Sequence, residues 1–271
     1  MNINILKSSV ALDEWLSQIE ANWSDIPELN HGPNKIKHLA VICDGNRRAA
    51  NNKGLSAQHG HRMGVEVIKG IAKACRQWDI PHATFWTFST ENWQRQGDQV
   101  NFLMSLAARY LRDEEAIAEI INNQTRFVHL GRKDRLSRSI LTSIKRLEER
   151  TAMFNRYYFN LALDYGGVDE VGRAATKIAE AIRRGELAAD ALTRNPNLIY
   201  DYLDTAGQPL PDLVVRTGVH IGDIPHTSGF MPLQTSYAGW SFLPDYFPDL
   251  TPHKLALAID EFYDAQMRFG V

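Results

Sequence analysis

"KHLAVICDGNRR", residues 37–48, passes in one step from a run of apolar residues to an acid, a glycine, an amide and two arginines. A short strand that is apolar on both faces belongs in a parallel sheet covered by helices on each side. A polar turn at the carboxyl end of such a strand is where open α/β sheets bind ligands.

The same layout recurs outward from it. "PHATFWTF" (81–88) is strand-like and runs into "STENW" (89–93), and "DLVVRTG" (212–218) opens the polar stretch "RTGVHIGDIPHTSGF" (216–230). Further strands are expected at 125–131 and 156–163. Helices are expected at 60–78, 99–123, 133–153, 169–185 and 252–270, where apolar residues recur at helical spacing. Strands alternating with helices predict an α/β fold, a single domain with a central, mostly parallel sheet flanked by helices. "TAGQPLPD" (205–212) reads as a loop inside it rather than a linker. Residues 1–36 read as an N-terminal helical extension and 37–271 as the catalytic domain. Leu12, Trp15, Leu16 and Ile19 form one face of that first helix, to be packed on the body or on a partner.

Apolar residues make up 44 % and charged residues 23 %, the balance of an ordinary globular chain. A net charge of −2 offers no basic field for nucleic acid, so any anion must be held by local groups. Cys43 and Cys75 are far apart without metal-type spacing, which fits a reduced, cytoplasmic protein. Neither a signal peptide nor a transmembrane segment is expected.

Three polar clusters should therefore converge on one rim of the sheet. In the first, Gly45 permits a tight path that points backbone N–H groups at an anion, and Arg47 and Arg48 offer forked donors suited to phosphate oxygens. Asp44 would repel phosphates unless a cation intervenes; Mg2+ bridging one carboxylate and a diphosphate resolves that conflict. His61, Ser89, Asn92, Arg95 and Arg216 add donors and positive charge. Singly, each has a plainer meaning: an Asp-Gly turn with solvated arginines, a structural histidine, a core Trp93. Together they describe a site for an anion, with a diphosphate the expected ligand.

The order of "HLAVICDGNRRAANNKGLSAQHGHRMG", "TFWTFSTENWQR", "DYGGVDEV", "PDLVVRTG" and a terminal "RFG" resembles the cis-prenyltransferase family typified by undecaprenyl diphosphate synthase, from about residue 37 to the end. The resemblance implies a homodimer, Mg2+ as cofactor and a hydrophobic tunnel for prenyl chains. It implies that an allylic diphosphate ionises over the Asp-Gly-Asn loop and is attacked by a second prenyl diphosphate, normally isopentenyl diphosphate. Asp44 is then the metal-associated carboxylate, and Gly45, Asn46, Arg47 and Arg48 cradle the allylic diphosphate. His61, Ser89, Asn92 and Arg95 lie near the reacting groups, with Ser89 and Asn92 assisting leaving-group departure or proton removal, and Arg216 binds the second substrate.

The chain departs from the family pattern in several places. Arg47 and Ala49 stand where the family has glycine and tryptophan, and Ala57 stands where it has arginine. His226 and Gly229 replace an arginine and an asparagine, and Gly239 a metal-associated glutamate. His226, Thr227 and Ser228 are expected to form a substitute binding loop. Three readings follow: an irregular head-to-middle condensation of lavandulyl type or transfer to another acceptor, ordinary chain elongation, and a non-catalytic partner subunit. Phe102, Leu103, Met104 and Tyr110 are candidates for shortening the tunnel, and equally ordinary core residues.

Overall fold

The computed structural model describes residues 3–30 and 36–268; Phe269 and Gly270 of the closing motif lie outside them. Six strands form one sheet: β1 (His38–Ile42), β2 (His82–Ser89), β3 (Thr125–Leu130), β4 (Tyr157–Tyr165), β5 (Leu213–Arg216) and β6 (Gly239–Phe242). Their order is β3-β4-β2-β1-β5-β6, and every pairing is parallel. β6 was not anticipated, because "GWSF" is only four residues long and none of them is fully buried.

All five residues of β1 are buried, as its two-faced apolar character requires. Leu39 and Val41 pack on one face with Val67, Ile71 and Phe85; Ala40 and Ile42 pack on the other with Trp86, Val214 and Phe230. Burial of each large aliphatic side chain contributes about 1.5–3 kcal/mol, so the central strands are pinned from both sides.

Helices α1 (Ile3–Ser24), α2 (Asn46–Asn52), α3 (Ala57–Gln77), α4 (Gly97–Tyr110), α5 (Glu114–Asn122), α6 (Arg138–Thr151), α7 (Gly167–Arg183), α8 (Ala191–Arg194) and α9 (Pro252–Arg268) cover the sheet. The single helix expected over 99–123 is two. The first ends at Tyr110, and Asp113 caps the second, its carboxylate accepting from the N–H groups of Glu115 (3.1 Å) and Ala116 (3.4 Å). α6 starts later than expected because Ser137 caps it. The helix at the amino end joins the main core: Trp15, Ile19 and Trp23 of α1 are buried against α3. Gly70 makes that possible, since a Cβ there would stand 2.3 Å from the Trp23 ring.

This topology places the site. β1 is central, β2 and β5 flank it, and Ile42 aligns with Trp86 on one side and Arg216 on the other. The three polar clusters therefore leave the sheet side by side.

Candidate active site

The turn after β1 is held from behind. The backbone carbonyl of Asp44 accepts from Thr217 Oγ1 (2.8 Å) and from the N–H of Phe247 (2.9 Å). Gly45 caps α2 with φ 99°, where a side chain would be strained and would strike Tyr246, 2.6 Å away. The first intrahelical bond runs from Ala49 N to Gly45 O, so the N–H groups of Asn46, Arg47 and Arg48 have no acceptor within the helix. Asn46 Nδ2 donates to Cys43 O (2.8 Å), and its buried Oδ1 has no partner. α3 crosses closely beneath, because Gly60 and Gly64 face Asn46.

The segment after β2 is a 3-10 turn over Thr90–Gln94 that fixes its own polar groups. Asn92 Oδ1 accepts from Ser89 N (3.2 Å), and the Ser89 side chain accepts from the Asn92 backbone. The Ser89 hydroxyl hydrogen turns to the Glu91 carboxylate, and the Asn92 amide hydrogens are left as donors. Trp93 anchors the turn: its Nε1 donates to buried Asp164 (2.9 Å), which Arg135 also grips.

The third cluster converges on Arg216, which is buried. It donates to Asp44 Oδ2 (3.1 Å) from Nη2, and to His226 O (2.6 Å) and Ser228 Oγ (2.8 Å) from Nη1. His226 Nδ1 lies 3.1 Å from the same Nη1 and 3.0 Å from Ser228 Oγ, which closes the cluster. The Nε of Arg216 is buried and unpartnered. Thr227 stays outside the cleft: it is exposed, and its Oγ1 and carbonyl are taken by the N–H groups of Gly229 and Phe230. Gly239 opens β6, opposite Leu213, at the end of the sheet away from Arg216. Its replacement of a glutamate therefore removes no ligand from this chain's cleft.

Asp44, Gly45, Asn46, Arg47, Arg48, His61, Ser89, Asn92, Arg95, Arg216, His226 and Ser228 line one cleft of about 610 Å³. Glu91 lines it too and was overlooked although it lies inside "STENW"; Tyr246, under the Arg48 guanidinium at 5.1 Å, has no signal near the motifs. Four arginines face two carboxylates there, a local excess of positive charge in a chain of net charge −2. His61 shows the effect: burial, then the charges of Arg95 and Arg47, push its pKa down to about 4, so it is neutral near pH 7. Burial and the neighbouring Asp44 push the Cys43 thiol up, which removes it as a nucleophile.

Cys43, Asn46, His61, Thr87 and Phe88 are shared with a second, apolar cavity of about 190 Å³. It runs between α3, α4 and the strands β2 and β4, lined by Ile68, Leu103, Ala107, Tyr110, Phe159 and Leu163 among others. Leu103 and Tyr110 thus point into it, whereas Phe102 and Met104 do not line it. An anion site opening directly onto an apolar cavity suits an amphiphile with a charged head.

Asp44 accepts from its neighbour Gly45 N (2.6 Å), from Arg48 (3.3 Å) and from Arg216, and its side chain is 38 % exposed. Among the described residues no group of three or more His, Cys, Asp or Glu could cage an ion. One reachable carboxylate beside a diphosphate cradle fits Mg2+, which is commonly held by one or two carboxylates and substrate phosphates.

Residues 42–270 match the family described as "Putative undecaprenyl diphosphate synthase". The isoprenyl transferase of Wolinella succinogenes is 39 % identical over 237 residues, 88 % of this chain and 97 % of that protein. That of Agrobacterium fabrum is 35 % identical, covering 86 % and 92 %. The structure of lavandulyl diphosphate synthase from Lavandula x intermedia with dimethylallyl diphosphate superposes with a TM-score of 0.76 at 29 % identity, over 84 % of this chain and 94 % of that one. A probable undecaprenyl diphosphate synthase from Campylobacter jejuni gives 0.67 at 31 %, over 85 % and 96 %.

Proposed function

The chain belongs to the undecaprenyl diphosphate synthase family and is a prenyl-transferring enzyme, and on that premise we propose that it joins an allylic prenyl diphosphate to isopentenyl diphosphate in the cleft beyond β1, β2 and β5. The observation that carries the reading is the continuity of the arginine-lined cleft with the apolar cavity through Asn46, His61 and Phe88. The names of the curated relatives support elongation as the reaction.

Ionisation breaks the allylic C–O bond, and the electron pair leaves with the diphosphate. Arg47, Arg48 and the α2 N–H groups hold that diphosphate, and charge-assisted bonds from them gain strength as its negative charge grows. The Asn92 amide supplies further donors, and so does the Ser89 hydroxyl once it swings from Glu91 to the diphosphate. Asp44 would hold Mg2+, which offsets charge on the departing diphosphate when bound. The π electrons of the second substrate close the new C–C bond, and the adduct then loses a proton. Neutral His61 is able to accept one. Arg216, fixed by Asp44, Ser228 and His226, offers its unpartnered Nε to the second diphosphate.

A second reading is favoured by one observation: where the family presents an arginine, His226 presents an imidazole, and its carbonyl and ring nitrogen are both packed against Arg216. That weakens the acceptor half for isopentenyl diphosphate and leaves room for head-to-middle joining of two dimethylallyl units. Purified protein with Mg2+ and labelled dimethylallyl or farnesyl diphosphate, with and without isopentenyl diphosphate, separates the two. A product ladder that requires isopentenyl diphosphate supports elongation. A ten-carbon diphosphate from dimethylallyl diphosphate alone supports the second reading. A homodimer belongs to the same proposal; exposed Ile221, Ile224 and Tyr237 support it, and light scattering tests it. Among the described residues no helix is long and apolar enough to cross a membrane.

A further inference from the structure

The apolar cavity has a second end. Arg76 and Glu119 line it, and the same two residues line a polar surface groove with Lys73, Gln77, Asn122 and Arg156. They are bonded to each other across α3 and α5, Arg76 to Glu119 Oε1 at 2.6 Å. This ion pair is therefore the partition between the prenyl-sized cavity and the outside. We propose that the Arg76–Glu119 pair is the distal stop of the cavity and so a determinant of how long a prenyl chain the enzyme builds.

The proposal rests on the reading that the cavity holds a prenyl chain. Size supports it. An apolar cavity of about 150 Å³ takes a six-carbon ring, so the observed 190 Å³ holds roughly eight carbons beyond the head group. With the first five-carbon unit at the cleft that makes about thirteen carbons, so a ten-carbon chain stops short of the far end and a fifteen-carbon chain reaches it. The stop does not work by strength, because a partly exposed ion pair contributes little; the Glu119 side chain is 45 % exposed and that of Arg76 16 %. It works because of what lies on either side. Methylenes leaving the cavity would desolvate Arg76 and strip it from Glu119. They would then meet an open groove lined mainly by amides and charged side chains, where little apolar burial compensates. The wall beside it is closed differently: Tyr110 donates to Glu66 (2.9 Å), and Lys69 pairs with Glu66 and covers the Tyr110 ring.

The test measures binding of inert allylic thiolodiphosphates of ten, fifteen and twenty carbons to the full chain. Three proteins are compared: the wild type, the Arg76→Ala/Glu119→Ala variant and the charge-swapped Arg76→Glu/Glu119→Arg variant. For the wild type, affinity should rise from ten to fifteen carbons and then level off. The double alanine variant should bind the twenty-carbon analogue at least about fifteenfold tighter than the fifteen-carbon one, the worth of about two buried methylenes, and the swap should restore levelling. With isopentenyl diphosphate present, the variant's mean product should lengthen by at least one five-carbon unit. Identical levelling in all three proteins, or a wild type whose affinity climbs steadily through twenty carbons, would overturn the proposal. If the double variant does not fold, Glu119→Lys at the half-exposed rim sets two cations against each other and should show the same shift. Absence of any condensation product would count against the proposed reaction, while the binding series would still decide the stop.

Discussion

Replacing Gly60 with alanine should damage the cleft without replacing any residue that lines it. A Cβ at Gly60 would stand 1.9 Å from the backbone oxygen of Asn46 and 3.1 Å from the Ala50 Cβ. Real Cβ contacts essentially never fall below 3.0 Å, so α2 or α3 must move by at least 1.1 Å. The obstacle is backbone, which cannot swing aside as a side chain can. Overpacking of this kind costs about 1–3 kcal/mol; at about 2–4 °C per kcal/mol for a chain of this size, Tm should fall by roughly 2–12 °C. The larger effect should be kinetic. α2 begins at Asn46 and carries Arg47 and Arg48, and a misplacement near 1 Å costs about 10²-fold in rate. Gly64→Ala is the control: its Cβ would meet the Asn46 side-chain Oδ1 at 2.3 Å. That amide can rotate away, sacrificing its bond to Cys43 O at about 1 kcal/mol. Thermal melts and kcat/KM on both variants decide the matter. Full activity in Gly60→Ala, or a worse loss in Gly64→Ala, would refute the idea that close helix contact positions the cradle.

Other outcomes follow from single groups. Asp164 adopts φ 57° and grips Trp93 and Arg135; Asp164→Asn tolerates that conformation and should retain most activity. Asp164→Leu should loosen the turn bearing Asn92 and lower kcat/KM by about 10–100-fold, visible also as a change in tryptophan fluorescence. Burial first, opposed by the bond to Pro209 O and aided by His82, pushes His38 down to about 3, and His61 lies at about 4. Both pKa values are depressed, so below pH 6.5 the unfolded chain takes up protons that the native state refuses. Stability should be complete above pH 6.5 and decline as pH falls toward 4 and 3. The loss by pH 5 is about 4 kcal/mol for the two together. Urea midpoints at pH 7 and 5 measure it, and His38→Asn should flatten the slope. Trp23→Ala should cost about 3–5 kcal/mol by emptying the space over Gly70, read as a lowered urea midpoint.

Much of this was legible in the sequence because the central strands are buried on both faces, which leaves an unbroken apolar run such as residues 39–43. Polar residues that end such runs had to collect at one edge, and Asp44, Ser89 and Arg216 do. What stayed hidden depends on contacts between distant residues. Nothing near position 113 shows that its aspartate turns back to cap a new helix rather than continue one. Arg76 and Glu119 are ordinary solvated charges until α3 and α5 are laid side by side. Gly239 looked like a lost metal ligand, but the register of β6 on β5 carries it to the far end of the sheet. Thr227, one residue from His226, turns outward because its own loop consumes its polar atoms.

The most direct measurement is the rate of diphosphate release from dimethylallyl or farnesyl diphosphate with isopentenyl diphosphate and Mg2+, in the wild type and in Asp44→Ala. The wild type should release one diphosphate for each C–C bond formed, and the variant should be slower by about 10²–10³-fold while still folding cooperatively, with a melting temperature lowered by the loss of its bonds to Arg216 and Arg48. Release at the wild-type rate from the variant would contradict the assignment of the chemistry to this cleft.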